Sequence, residues 1–168
     1  MTSAPTTTLT AIINARVVPV IGETIANGTV LIENGRISAV GADLTVPIGA
    51  QIIDATGTWV LPGFIEAHGH VGLHEAANGW AGNDTNEMTG PNMAAVRAIY
   101  AINIDDEGFR DALSGGVSTI VVKPGSGNPI GGQSVAITSS GGRTIDEQVI
   151  SASVSIKRTR GEPEANLR

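Results

Sequence analysis

Cysteine is absent from this 168-residue chain. That absence excludes disulfides, thiolate zinc sites and thiol nucleophiles. Aromatic residues are only 3% of the chain, so a core must be built from Val, Ile, Leu and Ala. No stretch comes near the roughly 20 apolar residues of a membrane span. Residues 1–10 carry neither the basic residue nor the apolar run of a secretory signal. Basic side chains are also scarce. Ten Lys and Arg face 16 Asp and Glu, a formal net charge of −6. With no basic surplus to neutralise phosphates, nucleic acid is not an expected partner. The expectation is a soluble, cytoplasmic protein that acts on a small molecule, with no nucleic acid and no membrane as partners.

Glycine is plentiful, at 22 residues, and much of it marks turns. A polar, Thr-rich arm over residues 1–8 precedes a β-patterned region. Residues 9–18 are rich in β-branched side chains. Residues 29–33 and 36–40 flank Asn34-Gly35, a strong hairpin signal because both turn residues need positive φ. Residues 51–54 and 58–61 continue as short strands. Residues 9–61 therefore read as a small β unit. At Pro62-Gly63 the character changes, and residues 62–168 form a second region. A strand over 64–71 leads into a long Gly- and Asn-rich stretch. Helices fit residues 91–102 and 105–114. The apolar run 117–122 suits a strand of a parallel sheet. Residues 134–139 read as β, and residues 145–154 as either a short helix or a connector. Strand, helix and strand in succession imply βα units, hence a parallel sheet or barrel.

The chemistry concentrates at three histidines, His68, His70 and His74, the full complement of the chain. His68 and His70 are two apart on an expected strand, so their rings share a face. Glu66 lies on that face too. Two converging imidazoles form a chelating pair for zinc or a similar metal. By itself this spacing is equally compatible with two metal-free histidines at a strand end. The glycine loop 127–134 is one residue from a phosphate-binding loop. It has Gln133 where lysine is needed, and a β pattern where a helix N-terminus is needed. A tight connection is the better reading. Lys123, at the end of an expected strand, reads as a salt-bridging or loop-anchoring residue. Asp84 and Glu87 read as loop-capping residues or as substrate contacts.

The stretch from Val60 to His70, apolar strand, Pro-Gly and then His-x-His, resembles the signature of the amidohydrolase superfamily. Residues 86–89, 98–103, 116–121, 124–128 and 130–133 resemble the branch related to imidazolonepropionase and Xaa-Pro dipeptidases. The resemblance runs from about Leu9 to Lys157. It implies an α/β fold: a β-sandwich-like unit of composite type over 9–61, then the first βα units of a TIM-like (β/α)₈ barrel over 62–168. It further implies a hydrolase of carbon–nitrogen bonds in amides, cyclic amides or dipeptides, working through a metal-activated water. One or two divalent ions, usually Zn²⁺, would be held by His68 and His70. Lys157 resembles the family's carboxylated, metal-bridging lysine, and the residues after it depart from the pattern. His74 and Glu87 lie in loops that could meet substrate. From residue 64 onward the chain is short of the roughly 250 residues of a full barrel. Three or four βα units fit, and the expectation is a truncated barrel. The alternative to an active hydrolase is a catalytically incomplete fragment or split-enzyme subunit. Exposed strand edges would favour a homo-oligomer or a complementary C-terminal barrel fragment as partner.

Overall fold

In the computed structural model, residues 8–76 and 78–159 are described. The expected N-terminal arm, apart from Thr8, and the polar end of the chain beyond Thr159 lie outside them. The chain divides into two compact units, Met1–Pro62 and Gly63–Arg168. Among the described residues, no helix is long and apolar enough to cross a membrane.

The first unit is one five-stranded sheet. β1 (Leu9–Val17) lies inside it. On one side β1 pairs antiparallel with β2 (Ile25–Glu33), which pairs with β3 (Arg36–Gly41). On the other side it runs parallel to β4 (Gln51–Asp54) and β5 (Trp59–Val60). The β2–β3 turn is the expected hairpin, with Asn34 at φ 50° and Gly35 at φ 75°. Both residues are types that accept the left-handed region at low cost. Ala15, Val17, Val30 and Ala55 form the buried cluster of this unit. Ile37, Ile52, Ile53 and Trp59 stay exposed. The sandwich implied by the resemblance needs a second sheet, and the described residues of this unit form only one. Its outward apolar side chains are left without a covering layer.

The second unit holds a four-stranded sheet in the order β6 (Phe64–Gly69), β7 (Val117–Val122), β8 (Ile130–Thr138), β9 (Val149–Arg158). β6 and β7 are parallel and are linked through α1 (Glu107–Ser114). The other two pairings are antiparallel. The described residues thus contain one βαβ unit rather than three or four, in a mixed sheet. The reason is connection length. A parallel return needs a crossover of about a dozen residues or more, and only Lys123–Pro129 separates β7 from β8. Residues 145–154 split between α2 (Ile145–Gln148) and the start of β9. Leu73, Phe109, Ile120, Val122, Val135 and Ile137 are buried in the core of this unit. The edge strands expose Phe64 and Ile65 on β6 and Ile150, Val154 and Ile156 on β9.

The helix expected over 91–102 does not form. Only Ala98–Tyr100 makes a short 3₁₀ turn. The backbone of this segment makes isolated i→i−3 turns and otherwise bonds outward to β8. Met93 N–H donates to the Ile130 carbonyl, Ile130 N–H to the Pro91 carbonyl, and Gln133 N–H to the Val96 carbonyl. The glycine loop serves this contact. A Cβ on Gly132 would sit 2.6 Å from the Val96 carbonyl oxygen, so only glycine allows the approach. The tight-connection reading of that loop agrees with this geometry.

α1 begins at Glu107, two residues after the expected start at residue 105, because Asp106 is its cap. The Asp106 carboxylate is buried and accepts from Gly108 N–H. It also accepts from Gly72 N–H at 2.8 Å and Ala76 N–H at 3.1 Å. One carboxylate thereby ties the loop after β6 to the start of the helix.

Candidate metal centre

The end of β6 carries His68, and His70 follows one residue past it. Their ring centroids are 5.5 Å apart and nearly perpendicular. His70 is half-buried and fixed from behind. Its Nδ1 lies 2.7 Å from the carbonyl oxygen of Lys123, at the end of β7. A carbonyl can only accept, so this contact places the proton on Nδ1 and leaves Nε2 as a lone-pair donor. The parallel pairing of β6 and β7 makes this contact, because it brings both strand ends to the same edge.

His68 is exposed and faces β9. Its Nε2 lies 2.9 Å from Nζ of Lys157, a residue 89 positions away in sequence. The charge of Lys157 holds the His68 imidazole below its usual pKa. Burial and the charges of His70 and Lys123 act the same way, and Glu66 opposes them. The Lys157 amine is itself held below the usual lysine value, first by burial and then by the Lys123 charge. Lys123 Nζ donates to Ser155 Oγ at 3.3 Å, and Ser155 Oγ donates to Ser134 Oγ at 3.0 Å. Lys123 thus bonds strand β9 through its amine and His70 through its carbonyl, and among the described residues it makes no salt bridge. The one ion pair among the described residues is Arg110–Glu107.

The other candidates lie apart from this cluster. The His74 side chain is exposed, and its backbone pairs with Asn83. Among the described residues, no group of three or more His, Cys, Asp or Glu forms, so His74 does not join His68 and His70. Glu66 folds back locally, accepting from His68 N–H at 2.7 Å. Glu87 accepts from Thr89 N–H at 2.9 Å. Bonds from the Thr89 side chain and backbone hold its carboxyl below the usual range. Glu87 and Asp84 line a 260 Å³ cleft together with Leu73, Arg97 and Pro124. Two organising residues carried no sequence signal of their own. Asp106 is one. The other is buried Asn128, whose amide donates to the carbonyls of Glu87 and Gly90, each at 2.7 Å. A buried polar residue becomes recognisable only once its partners across the loop are known.

The donor set suits a divalent metal in kind. It offers a free imidazole nitrogen on His70, a second on His68, and an amine beside the latter whose proton is already destabilised. It does not by itself complete a four-ligand shell.

No family model matches the chain. It is 32% identical over 128 residues to the amidohydrolase tasK of Hapsidospora irregularis, covering 74% of this chain and 13% of that protein. It is 34% identical over 73 residues to a dihydroorotase of Mycobacterium tuberculosis, covering 44% of this chain and 16% of that one. Among solved structures, an amidohydrolase from Thermotoga maritima superposes with a TM-score of 0.85 at 34% identity. That match covers 90% of this chain and 39% of the other. The chain therefore spans well under half of the proteins it matches. Across that span, its sequence relatives and structural neighbours place it in the amidohydrolase superfamily.

Proposed function

We propose that this chain forms the first part of a divalent-metal site of a carbon–nitrogen hydrolase, with His68, His70 and Lys157 as ligands and zinc as the metal. One observation carries the reading: His68 Nε2 and Lys157 Nζ meet at 2.9 Å across the full width of the sheet. The names of the relatives, amidohydrolase, dihydroorotase and adenine deaminase, support carbon–nitrogen chemistry as the class. A bound divalent ion would supply Lewis-acid polarisation of a carbonyl and acidification of a water. The chain's own residues do the rest. The Lys123 carbonyl selects the His70 tautomer. The depressed basicity of Lys157 raises its neutral amine fraction, the form that adds carbon dioxide to give a carbamate and a proton. That conversion turns a cation into an oxygen donor.

The second reading is that this part of the site is not active alone. Two observations favour it. Among the described residues, no group of three or more His, Cys, Asp or Glu is arranged to hold a metal, and both edge strands expose apolar side chains. Its partner would be a complementary barrel segment or a second copy of the chain. The test is to load purified protein with Zn²⁺ and assay dipeptide and cyclic-amide hydrolysis with and without a chelator. Chelator-sensitive turnover supports the hydrolase reading. Retained zinc without turnover supports the incomplete site, and neither zinc nor turnover contradicts both.

A further inference from the structure

We infer that the cleft beside the strand ends is a carboxylate-binding subsite in which Arg97 grips one carboxylate through the Nε–Nη2 edge of its guanidinium. Three observations lead there. First, Arg97 Nε is buried and has no hydrogen-bond partner. A buried donor left unpaired suffers its full desolvation penalty, so a partner belongs at that nitrogen. Second, Nη1 is already engaged, donating to Tyr100 Oη at 3.0 Å, with the guanidinium 5.3 Å from the ring centroid. The edge that remains is a planar two-donor fork, which matches the two oxygens of a carboxylate. Third, no acid of the chain fills it among the described residues. Glu87 lines the same cleft, but its carboxylate is turned to Thr89.

The scaffold behind Arg97 is rigid. The adjoining Val96 carbonyl accepts from Gln133 N–H at 2.7 Å, and Arg97 bridges Gln133 in parallel register. Tyr100, whose ring lies beside the guanidinium, is 79% exposed. The cleft, at 260 Å³, has the size of a small acid and also carries the exposed Asp84 carboxylate. A ligand with a carboxylate for Arg97 and a nearby N–H for Asp84, such as an N-acylamino acid, satisfies both. Pro124, in the cleft wall, directly follows Lys123, whose carbonyl holds His70. If the hydrolase reading of the His68–His70–Lys157 cluster holds, this subsite binds the acid end of the substrate. That last clause rests on the proposed function, but the carboxylate site does not.

The experiment uses the full chain, with chelator present so that metal plays no part. N-acetylglycine and its uncharged amide, N-acetylglycinamide, are titrated while the Arg97 Nε–H resonance is followed by NMR. The acid is expected to shift that resonance saturably, and the amide is not. Arg97→Lys keeps the charge without the fork and is expected to weaken acid binding at least tenfold, while Arg97→Gln abolishes it. An equal response to the amide, or unchanged acid affinity in folded Arg97→Lys, overturns the subsite. Unchanged zinc binding in His68→Ala/His70→Ala would overturn the metal reading and leave this result standing.

Discussion

The two sheets are built by different rules. In the first unit, β1 lies between antiparallel and parallel neighbours, and the buried cluster is small: Ala15, Val17, Val30 and Ala55. In the second, larger side chains such as Leu73, Phe109, Ile120 and Ile137 fill a core under α1. Stability of the second unit therefore rests more on deep packing, and that of the first more on local turns and strand pairing. The candidate-site side chains His68, His70 and Lys157 belong to the more deeply packed unit. A metal or substrate site needs its ligands held by a rigid frame, which a packed core supplies.

Core truncation should separate the units most clearly. Ile120→Ala removes a side chain with 1% exposure and is expected to cost about 2–5 kcal/mol. Val30→Ala should cost roughly 2 kcal/mol. Denaturant unfolding read by resolved NMR signals from each unit checks this, and a larger loss for Val30→Ala would reverse the comparison. Next in size is Asp106→Ala. It strips the cap of α1 and two further N–H partners in the loop after His70, at an expected cost of about 2–3 kcal/mol. Hydrogen exchange at Gly72 and Ala76 should accelerate selectively. Uniform acceleration through the unit would assign Asp106 to general stability rather than to that loop.

The smallest effect is electrostatic. His68 is held below its usual pKa chiefly by Lys157. Its native state then binds fewer protons than the unfolded chain just below the ordinary histidine value of about 6.5. Stability from this site is present above that pH and is lost as the solution is acidified through the window. Lys157→Gln should move the His68 midpoint upward in an NMR titration and narrow the window. An unmoved midpoint would assign the shift to burial and to the charges of His70 and Lys123 instead.

What the sequence revealed depended on how local the signal was. The Asn34-Gly35 hairpin, helix α1 and strand β7 could be read because their signals lie within a few residues. His68 and His70 could be paired because strand periodicity is local. The segment over 91–102 misled because its apolar spacing suits a helix, while its backbone, beyond isolated turns, bonds to β8. The span of β9 was also hidden, since its pairing depends on β8 across the α2 turn. The roles of Asp106 and Asn128 lie in contacts spanning 30 residues or more, which no window of sequence displays. The pairing of Lys157 with His68 is equally long-range, and the family resemblance rather than any spacing pointed to it.

The central claim is that His68 and His70, backed by Lys157, bind a divalent metal. Calorimetric titration of Zn²⁺ into the native chain and into His68→Ala/His70→Ala tests it most directly. The double variant should bind at least the roughly 10–100-fold more weakly that loss of even an outer-shell partner costs. Equal affinity in the two proteins would contradict the account.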